Sequence, residues 1–114
     1  MKKNLTKLLT LPLFYQFEHT PRMIEVEKDA IVTITTKVKN GMMSDLITFM
    51  DSENILPITR NFKGCKSVIQ FANKENNIHV SVERWDSAES HQKYIDFRIN
   101  KDKSGAAEKH LTFV

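Results

Sequence analysis

The spacing of apolar and polar residues predicts a regular order of secondary structure elements from Ala30 onwards. Residues 30–39 alternate and are rich in β-branched side chains, which predicts a strand that ends at the Asn40-Gly41 turn. In residues 42–54, apolar side chains recur at spacings of three, four and seven, which indicates one face of a helix. The pattern therefore changes from strand to helix directly after the turn.

Two further strands and a longer helix follow. Residues 65–73 and 78–85 have strand-like composition, and a polar turn separates them. A helix is predicted from about Ser87 to Asn100, with Asp86 or Ser87 as its N-terminal cap.

Two shorter segments complete the predicted order. Pro57 suits the first turn of a helix, so we predict a short helix or turn within residues 55–62. Residues 111–114 are predicted to form a short last strand. Strands and helices in this order are typical of the ferredoxin-like plan, so we expect an α+β fold with an antiparallel sheet and the helices on one face.

The first 29 residues follow a different pattern. They are rich in leucine and phenylalanine, but Lys7 and Pro12 interrupt the apolar run and no small-residue cleavage site follows it, which disfavours a signal peptide. The residues around Pro21 are predicted to form an extended linker. We therefore divide the chain into an N-terminal extension or arm, residues 1–29, and a domain, residues 30–114.

Composition and charge narrow the classes of function. The chain has 114 residues, enough for one domain with a modest core. The net charge of +3 is small and the lysines are dispersed, so nucleic-acid binding is not predicted. No apolar run approaches the ~20 residues of a membrane-spanning helix, so no membrane association is predicted. The single cysteine, Cys65, excludes an intramolecular disulfide and favours a reducing, cytoplasmic location.

Alternation along residues 78–85 separates two sets of side chains. The apolar set, which we expect to face the helices, is Ile78, Val80 and Val82. The set on the opposite face is His79, Ser81, Glu83 and Trp85. If a second copy of the sheet covers that opposite face, Glu83 becomes partly desolvated, which raises its pKa and allows it to act as a base or a hydrogen-bond anchor.

The predicted long helix adds a second group of candidate residues. One stripe, at spacings of three, four, seven and eight, consists of His91, Tyr94, Ile95, Arg98 and Ile99. The two isoleucines supply packing, and the three polar residues are expected at the borders of the stripe, near the sheet. There Arg98 can pair with Glu83 or with an anionic ligand.

A purely structural interpretation also fits each candidate. Trp85 and Tyr94 can be packing aromatics, and Glu83 can be half of a structural ion pair. His79 and His91 can be ordinary polar residues of a strand and a helix. Because the four histidines are scattered and offer no ligand pair at short spacing, no metal site is predicted.

The chain from Ala30 to about Arg98 resembles the antibiotic biosynthesis monooxygenase (ABM) domain family, which includes quinol monooxygenase-like proteins. The resemblance lies in an ordered set of positions and not in any single motif. These positions are Leu56, Pro57, Thr59, Arg60, Phe62, Gly64, Cys65, Glu83, Trp85, Ser87, Tyr94, Phe97 and Arg98. The haem-site residues of haem-degrading relatives are missing, because Ile34, Tyr94 and Ser104 stand at about those places, so haem degradation is not expected.

The resemblance implies a ferredoxin-like protomer that pairs sheet to sheet into a homodimeric α/β barrel. It also implies oxidation of a small aromatic substrate, a quinol or phenol, by O₂ without a metal, a flavin or any other cofactor. The predicted catalytic residues are Glu83, His91 and Tyr94. The predicted substrate-binding residues are His79, Trp85, Arg98 and Arg60.

The sequence is also compatible with two other functions. One is a non-catalytic dimeric module that binds a small ligand, with the arm of residues 1–29 filling the pocket or bridging the subunits. The other is an isomerase of a small oxygenated metabolite, in which His91 or Glu83 moves a proton and no O₂ is needed.

Overall fold

An antiparallel sheet with helices packed against it makes up the described part of the chain. The computed structural model describes residues 6–8 and 19–114. The strands are β1 (Thr6–Leu8), β2 (His19–Val26), β3 (Asp29–Lys37), β4 (Cys65–Asn73) and β5 (Ile78–Trp85). The helices are α1 (Met43–Met50), α2 (Leu56–Asn61), α3 (Ala88–Asn100) and α4 (Ala106–Leu111). The predicted strands at 65–73 and 78–85 and the predicted long helix are confirmed.

The strands lie in the order β1-β2-β3-β5-β4, and every neighbouring pair is antiparallel. In this order β5 is an inner strand, paired with β3 on one side and β4 on the other. Its register places Glu83 opposite Val32 of β3 and opposite Val68 of β4. The fold is α+β, and its antiparallel sheet with helices is compatible with the ferredoxin-like plan.

The predicted assignment of the two sheet faces is wrong. The buried side chains of β5 are His79, Ser81, Glu83 and Trp85. The half-buried ones are Ile78, Val80 and Val82. Trp85 and Val32 pack against Tyr94 of α3, so the helices cover the polar side of this strand. The reason is that the neighbouring strands place Val32 and Val68 on that same side, and they supply the apolar surface that β5 itself lacks there.

Two apolar clusters form the core on the helix side of the sheet. The cluster around α1 and α2 consists of Val38, Met43, Leu46, Met50, Ile55, Leu56, Val68 and Phe113. The cluster around α3 consists of Met23, Ala30, Val32, Trp85, Tyr94 and Ile95. Cys65 contacts both clusters, and burial raises the pKa of its thiol to about 11, so Cys65 stays protonated and serves as a small packing residue.

The sheet begins within the predicted arm. β2 pairs with β3 along its whole length, so the stretch around Pro21 that was predicted as a linker is a strand of the sheet. Apart from Thr6–Leu8, the leucine-rich run lies outside the described ranges, and the absence of a signal peptide stays a prediction. The division of the chain into residues 1–29 and 30–114 stays a prediction.

The predicted last strand is wrong. Ala106–Leu111 is a helix, and Phe113 beyond it is buried against Phe49, with the two ring centroids 5.2 Å apart. The place beside β3 in the sheet is already taken by β2, so the C-terminal residues cannot pair there. The C-terminus is instead anchored on the helix side, where the Lys39 amide donates a hydrogen bond to the Phe113 carbonyl at 2.9 Å.

Gly64 and Ser87 fix the start of α3 beside β4. The Ser87 hydroxyl oxygen accepts a hydrogen bond from the Ser90 amide at 3.0 Å, which confirms Ser87 as the N-cap. Gly64 has a φ of +96°, and its carbonyl accepts a hydrogen bond from the Asp86 amide at 2.8 Å. A Cβ added at Gly64 would lie 2.5 Å from Ser90 Cβ. This turn therefore requires glycine both for its backbone angle and for its contact with α3.

We expect Gly64→Ala to lower the free energy of unfolding by about 2–5 kcal/mol, from an unfavourable positive φ together with an overpacked contact. Gly41→Ala is the matched control, because Gly41 has a φ of +78° but a Cβ there meets nothing within 4 Å. Gly41→Ala should lower the free energy of unfolding by only about 1–2 kcal/mol. Urea unfolding followed by circular dichroism measures both values, and equal losses would contradict the role of the Ser90 contact.

Candidate functional site

A cavity of about 90 Å³ lies between the sheet and the helices. It has room for several water molecules or for part of a small organic molecule. The apolar part of its lining is Ile34, Phe49, Met50, Ile55, Leu56, Ala106, Ala107 and Leu111. The polar part is Thr36, Thr59, His79, Ser81, Glu83, Tyr94, Arg98 and His110. The cavity thus brings together predicted site residues from β5 and α3.

Glu83 supplies a buried carboxyl group to the cavity. It is 5% exposed, and Val32 and Val68 flank it on the neighbouring strands. Oε1 accepts a hydrogen bond from Trp85 Nε1 at 2.9 Å, whereas Oε2 has no hydrogen-bond partner among the described residues. Burial raises the pKa of Glu83 to about 7, although the Trp85 hydrogen bond and the charge of Arg98 lower it. Glu83 therefore exchanges a proton near neutral pH, as a general base must.

Trp85 and His91 lie beside Glu83 but are not among the residues that line the cavity. Trp85 is fully buried, and its ring centroid is 5.5 Å from that of His91. His91 Nε2 is 3.9 Å from Glu83 Oε1, which is too far for a hydrogen bond. Burial lowers the pKa of His91 to about 4, so near neutral pH His91 is uncharged and forms no ion pair with Glu83.

The Tyr94 hydroxyl is held by two partners. Thr59 Oγ1 lies 2.7 Å from it, and Arg98 Nε donates a hydrogen bond to it at 2.8 Å. Thr59 Oγ1 donates to the Ile55 carbonyl at 3.2 Å, so the Tyr94 hydroxyl is the donor in its bond with Thr59. Burial, and secondarily the charge of Glu83, raises the pKa of Tyr94 well above its usual value. Tyr94 therefore stays protonated and forms a fixed wall of the cavity.

Arg98 ties α3 to α2 and to the residues just before it. Its five acceptors, at 2.8 to 3.4 Å, are Tyr94 Oη, Asn54 O, Asp102 Oδ2, Ile55 O and Thr59 Oγ1. A guanidinium group has five N–H donors, so these bonds engage all of them. Arg98 therefore positions Tyr94 and reaches Glu83 only through its charge, and it offers no spare donor to an anionic ligand.

His79 lines the cavity, whereas Arg60 does not. His79 is 2% exposed, and its Nε2 lies 2.8 Å from Gln70 Oε1. Burial lowers the pKa of His79, so its ring is neutral near pH 7. Arg60 is exposed on α2, where its Nε donates to the Val68 carbonyl at 3.3 Å. Arg60 is thus the predicted site residue that the structure does not bring to the cavity or to Glu83.

Sequence reasoning missed the part of the cavity wall that comes from the C-terminal segment. The residues concerned are Ala106, Ala107, His110 and Leu111 of α4. The spacing of four residues between Ala106 and His110 is a helical signal that could have identified this wall. Thr59 was predicted only as a motif position, because its contact with Tyr94 joins residues 35 apart in the sequence.

The described residues contain neither a group of three or more His, Cys, Asp and Glu side chains that could hold a metal ion nor a helix long and apolar enough to cross a membrane. Comparison of the sequence with models of known protein families and with curated proteins finds no match. The resemblance to the ABM family therefore stays a prediction.

We expect Glu83→Gln to stabilise the protein at alkaline pH. The folded-state pKa of about 7 exceeds the ordinary 4.5, so the stability from the protonated carboxyl is full below pH 4.5 and is lost as pH rises through 7. The full loss corresponds to about 3 kcal/mol, and glutamine at this position does not suffer it. The measurement is the difference in free energy of unfolding between variant and wild type from pH 4.5 to 8.5.

The control for this experiment is Glu89→Gln, which removes an exposed carboxylate from the first turn of α3. The difference in free energy of unfolding between Glu89→Gln and the wild type should change little with pH. A pH-independent difference for Glu83→Gln as well would show that Glu83 is ionised throughout this range in the folded protein.

Proposed function

We propose that this protein is a cofactor-independent monooxygenase that oxidises a small quinol or phenol with O₂, and that it acts as a homodimer. The observation that carries the proposal is the Glu83 carboxyl group at the cavity, with a pKa near 7 and one oxygen free of hydrogen bonds from described residues. The ordered motif positions that resemble the ABM family support the same conclusion.

The reaction needs a base because a phenolate is much more electron-rich than a phenol. Glu83 takes the hydroxyl proton, and the phenolate passes one electron to O₂, which gives a phenoxyl radical and superoxide. The two combine by forming a C–O bond at a ring carbon. That carbon then loses its proton while the O–O bond breaks, which leaves a quinone carbonyl. The departing oxygen takes that proton and the one held by Glu83, leaves as water and restores the Glu83 carboxylate. The sum is one phenol and one O₂ converted to one quinone and one water.

The cavity lining suits an aromatic ligand. Apolar side chains from three helices and from β3 supply most of its wall, including Phe49, Leu56 and Ile34. Such a lining excludes water and accepts the faces and edges of a ring. The polar residues of β5 face one side of this apolar wall, so a bound ring can present its hydroxyl group to Glu83.

Trp85 and Arg98 take positioning roles in this proposal. Trp85 donates the only hydrogen bond that the Glu83 carboxyl group receives from described residues, and it fixes one carboxylate oxygen while the other remains for substrate. Arg98 holds Tyr94, whose ring centroid is 5.1 Å from that of Trp85. These contacts keep the base and the cavity wall in one geometry before substrate binds.

The sheet face away from the helices supports the homodimer. Its exposed apolar side chains include Ile69 and Phe71 of β4, which are 52% and 55% exposed. They pair in register with Val82 and Val80 of β5, so the four side chains form one apolar patch. A second copy of the same face is the partner that such a patch fits when a two-fold axis joins the subunits.

We expect O₂ consumption above the autoxidation rate with at least one member of a panel of quinols and polyphenols. Glu83→Gln should lower kcat/KM by roughly 10²–10⁴-fold, the range for loss of a general base. In the wild type, kcat/KM should rise with pH through about 7, because the carboxylate form of Glu83 is the active one. An oxygen electrode and quinone absorbance measure the two sides of the reaction.

Glu89→Gln is the control for activity, and it should retain the wild-type rate. Full activity of Glu83→Gln would remove Glu83 as the base. Tight binding of a phenol without O₂ consumption would favour the binding module, and conversion of a small oxygenated metabolite without O₂ would favour the isomerase.

Phe71→Lys should convert the dimer to monomers, with roughly 30-fold or greater weakening of association, because it places a charge in the apolar patch. Ile99→Lys is the matched control, since Ile99 is 42% exposed but lies on α3, away from that face. Sedimentation velocity at several concentrations measures association. A wild-type protein that is monomeric throughout would overturn the homodimer.

A further inference from the structure

A chain of two hydrogen bonds runs from the protein surface to the cavity through Gln70. Asp51, which is exposed at the C-terminal end of α1, accepts a hydrogen bond from Gln70 Nε2 at 2.9 Å. Gln70 Oε1 lies 2.8 Å from His79 Nε2. A carboxylate at a helix C-terminus is disfavoured by the helix dipole, so the location of Asp51 is not explained by the stability of α1.

The donors and acceptors of this chain can be arranged in one way only. An ionised Asp51 accepts and does not donate, so the amide nitrogen of Gln70 must face Asp51 and the amide oxygen must face His79. His79 Nε2 must then carry the hydrogen. In a neutral imidazole the other nitrogen, Nδ1, is left as a hydrogen-bond acceptor.

The Nδ1 atom of His79 is unpartnered among the described residues and is not fully buried. It has no hydrogen-bond partner among the described residues. No fully buried nitrogen or oxygen of a described side chain lacks a partner, so this unpartnered atom is not fully buried. His79 is only 2% exposed and is one of the residues that line the cavity, which makes the cavity the natural place for a ligand to meet Nδ1.

We infer that Gln70, oriented by Asp51, fixes His79 as a hydrogen-bond acceptor at the cavity, and that His79 therefore selects ligands that present a hydroxyl donor. This inference deepens the proposed function, and what it implies for the substrate rests on that proposed function. His79 and Glu83 lie on one face of β5, four residues apart, which is roughly 13 Å between their Cα atoms. A ligand that satisfies both carries hydroxyl groups at opposite ends of its ring.

The same arrangement disfavours anions and fully oxidised rings. An acceptor nitrogen and a carboxylate repel a carboxylate or phosphate ligand, and Arg98 has no spare donor to offset that repulsion. A quinone has only acceptor oxygens, so it leaves His79 Nδ1 without a partner.

The first test is the tautomer of His79, read by NMR from the ¹⁵N shifts and carbon-bound protons of histidine rings in labelled protein. We expect the Nε2–H tautomer in the wild type. Asp51→Asn should give a mixture, because an asparagine can donate or accept and no longer fixes the Gln70 amide. Asp45→Asn is the matched control, an exposed acidic residue of the same helix, and it should leave the tautomer unchanged.

The second test is anaerobic binding of hydroquinone, 4-methoxyphenol and 1,4-benzoquinone, measured by calorimetry. We expect hydroquinone to bind roughly tenfold more tightly than the other two, since 4-methoxyphenol has only one hydroxyl donor for the two acceptors, His79 and Glu83, and 1,4-benzoquinone has none. The preference should shrink in Asp51→Asn and persist in Asp45→Asn. An Nδ1–H tautomer in the wild type, or equal affinity for all three compounds, would overturn the inference.

Neither test depends on turnover. A protein that binds hydroquinone selectively but consumes no O₂ would uphold the role of Gln70 and reject the monooxygenase. A protein that oxidises quinols with His79 as the Nδ1–H tautomer would uphold the monooxygenase and reject the role of Gln70.

Discussion

The burial of the Glu83 carboxyl group is the constraint on which the rest of the site depends. A carboxyl between two valines of neighbouring strands is not hydrated as it would be at the surface, so protein groups must support its charge. Trp85 supplies one neutral N–H, and Arg98 acts only at a distance because its donors are engaged elsewhere. A directly bonded guanidinium would draw the pKa down and fix the charge. The partial support instead leaves the pKa near 7, which is where a base is useful.

Arg98 makes the opposite side of the cavity rigid. Its hydrogen bonds join α3 to the carbonyls of Asn54 and Ile55 and to the Thr59 hydroxyl, and Tyr94 completes the same network. Every N–H of the guanidinium has an acceptor, so any movement of α2 relative to α3 breaks a charge-assisted hydrogen bond. Among the described residues, Glu83 and His79 therefore offer unpartnered polar atoms to a cavity whose opposite wall is held in place. That is the arrangement a preorganised site requires.

Much of the fold could be predicted from the sequence because the strands and the long helix carry local signals. Residues 65–73 have strand-like composition, residues 78–83 alternate, and Ser87 is a strong cap, so these elements follow from local signals. The face of β5 could not be predicted from β5 alone. Both of its faces are plausible in isolation, and the choice is made by Val32 and Val68, which are neighbours only through the sheet register. The roles of Thr59 and of the α4 residues that line the cavity could not be predicted for the same reason, since their contacts depend on tertiary structure.

The stability of the protein and its proposed function make opposite demands at Glu83. A glutamine would keep the hydrogen bond from Trp85 and avoid the ionisation penalty of about 3 kcal/mol at alkaline pH. That penalty is a large part of the 5–15 kcal/mol by which domains of this size are usually stable. A residue with a purely structural task in this position has no need of a group that ionises near pH 7. The buried row of Glu83, Ser81 and His79 faces a cavity, whereas the apolar side chains of the same strand face outwards. An arrangement that places acceptors inside and apolar groups outside is unfavourable for an isolated domain, and it becomes favourable when the cavity holds a hydroxyl-bearing ligand and the outer face meets a second sheet.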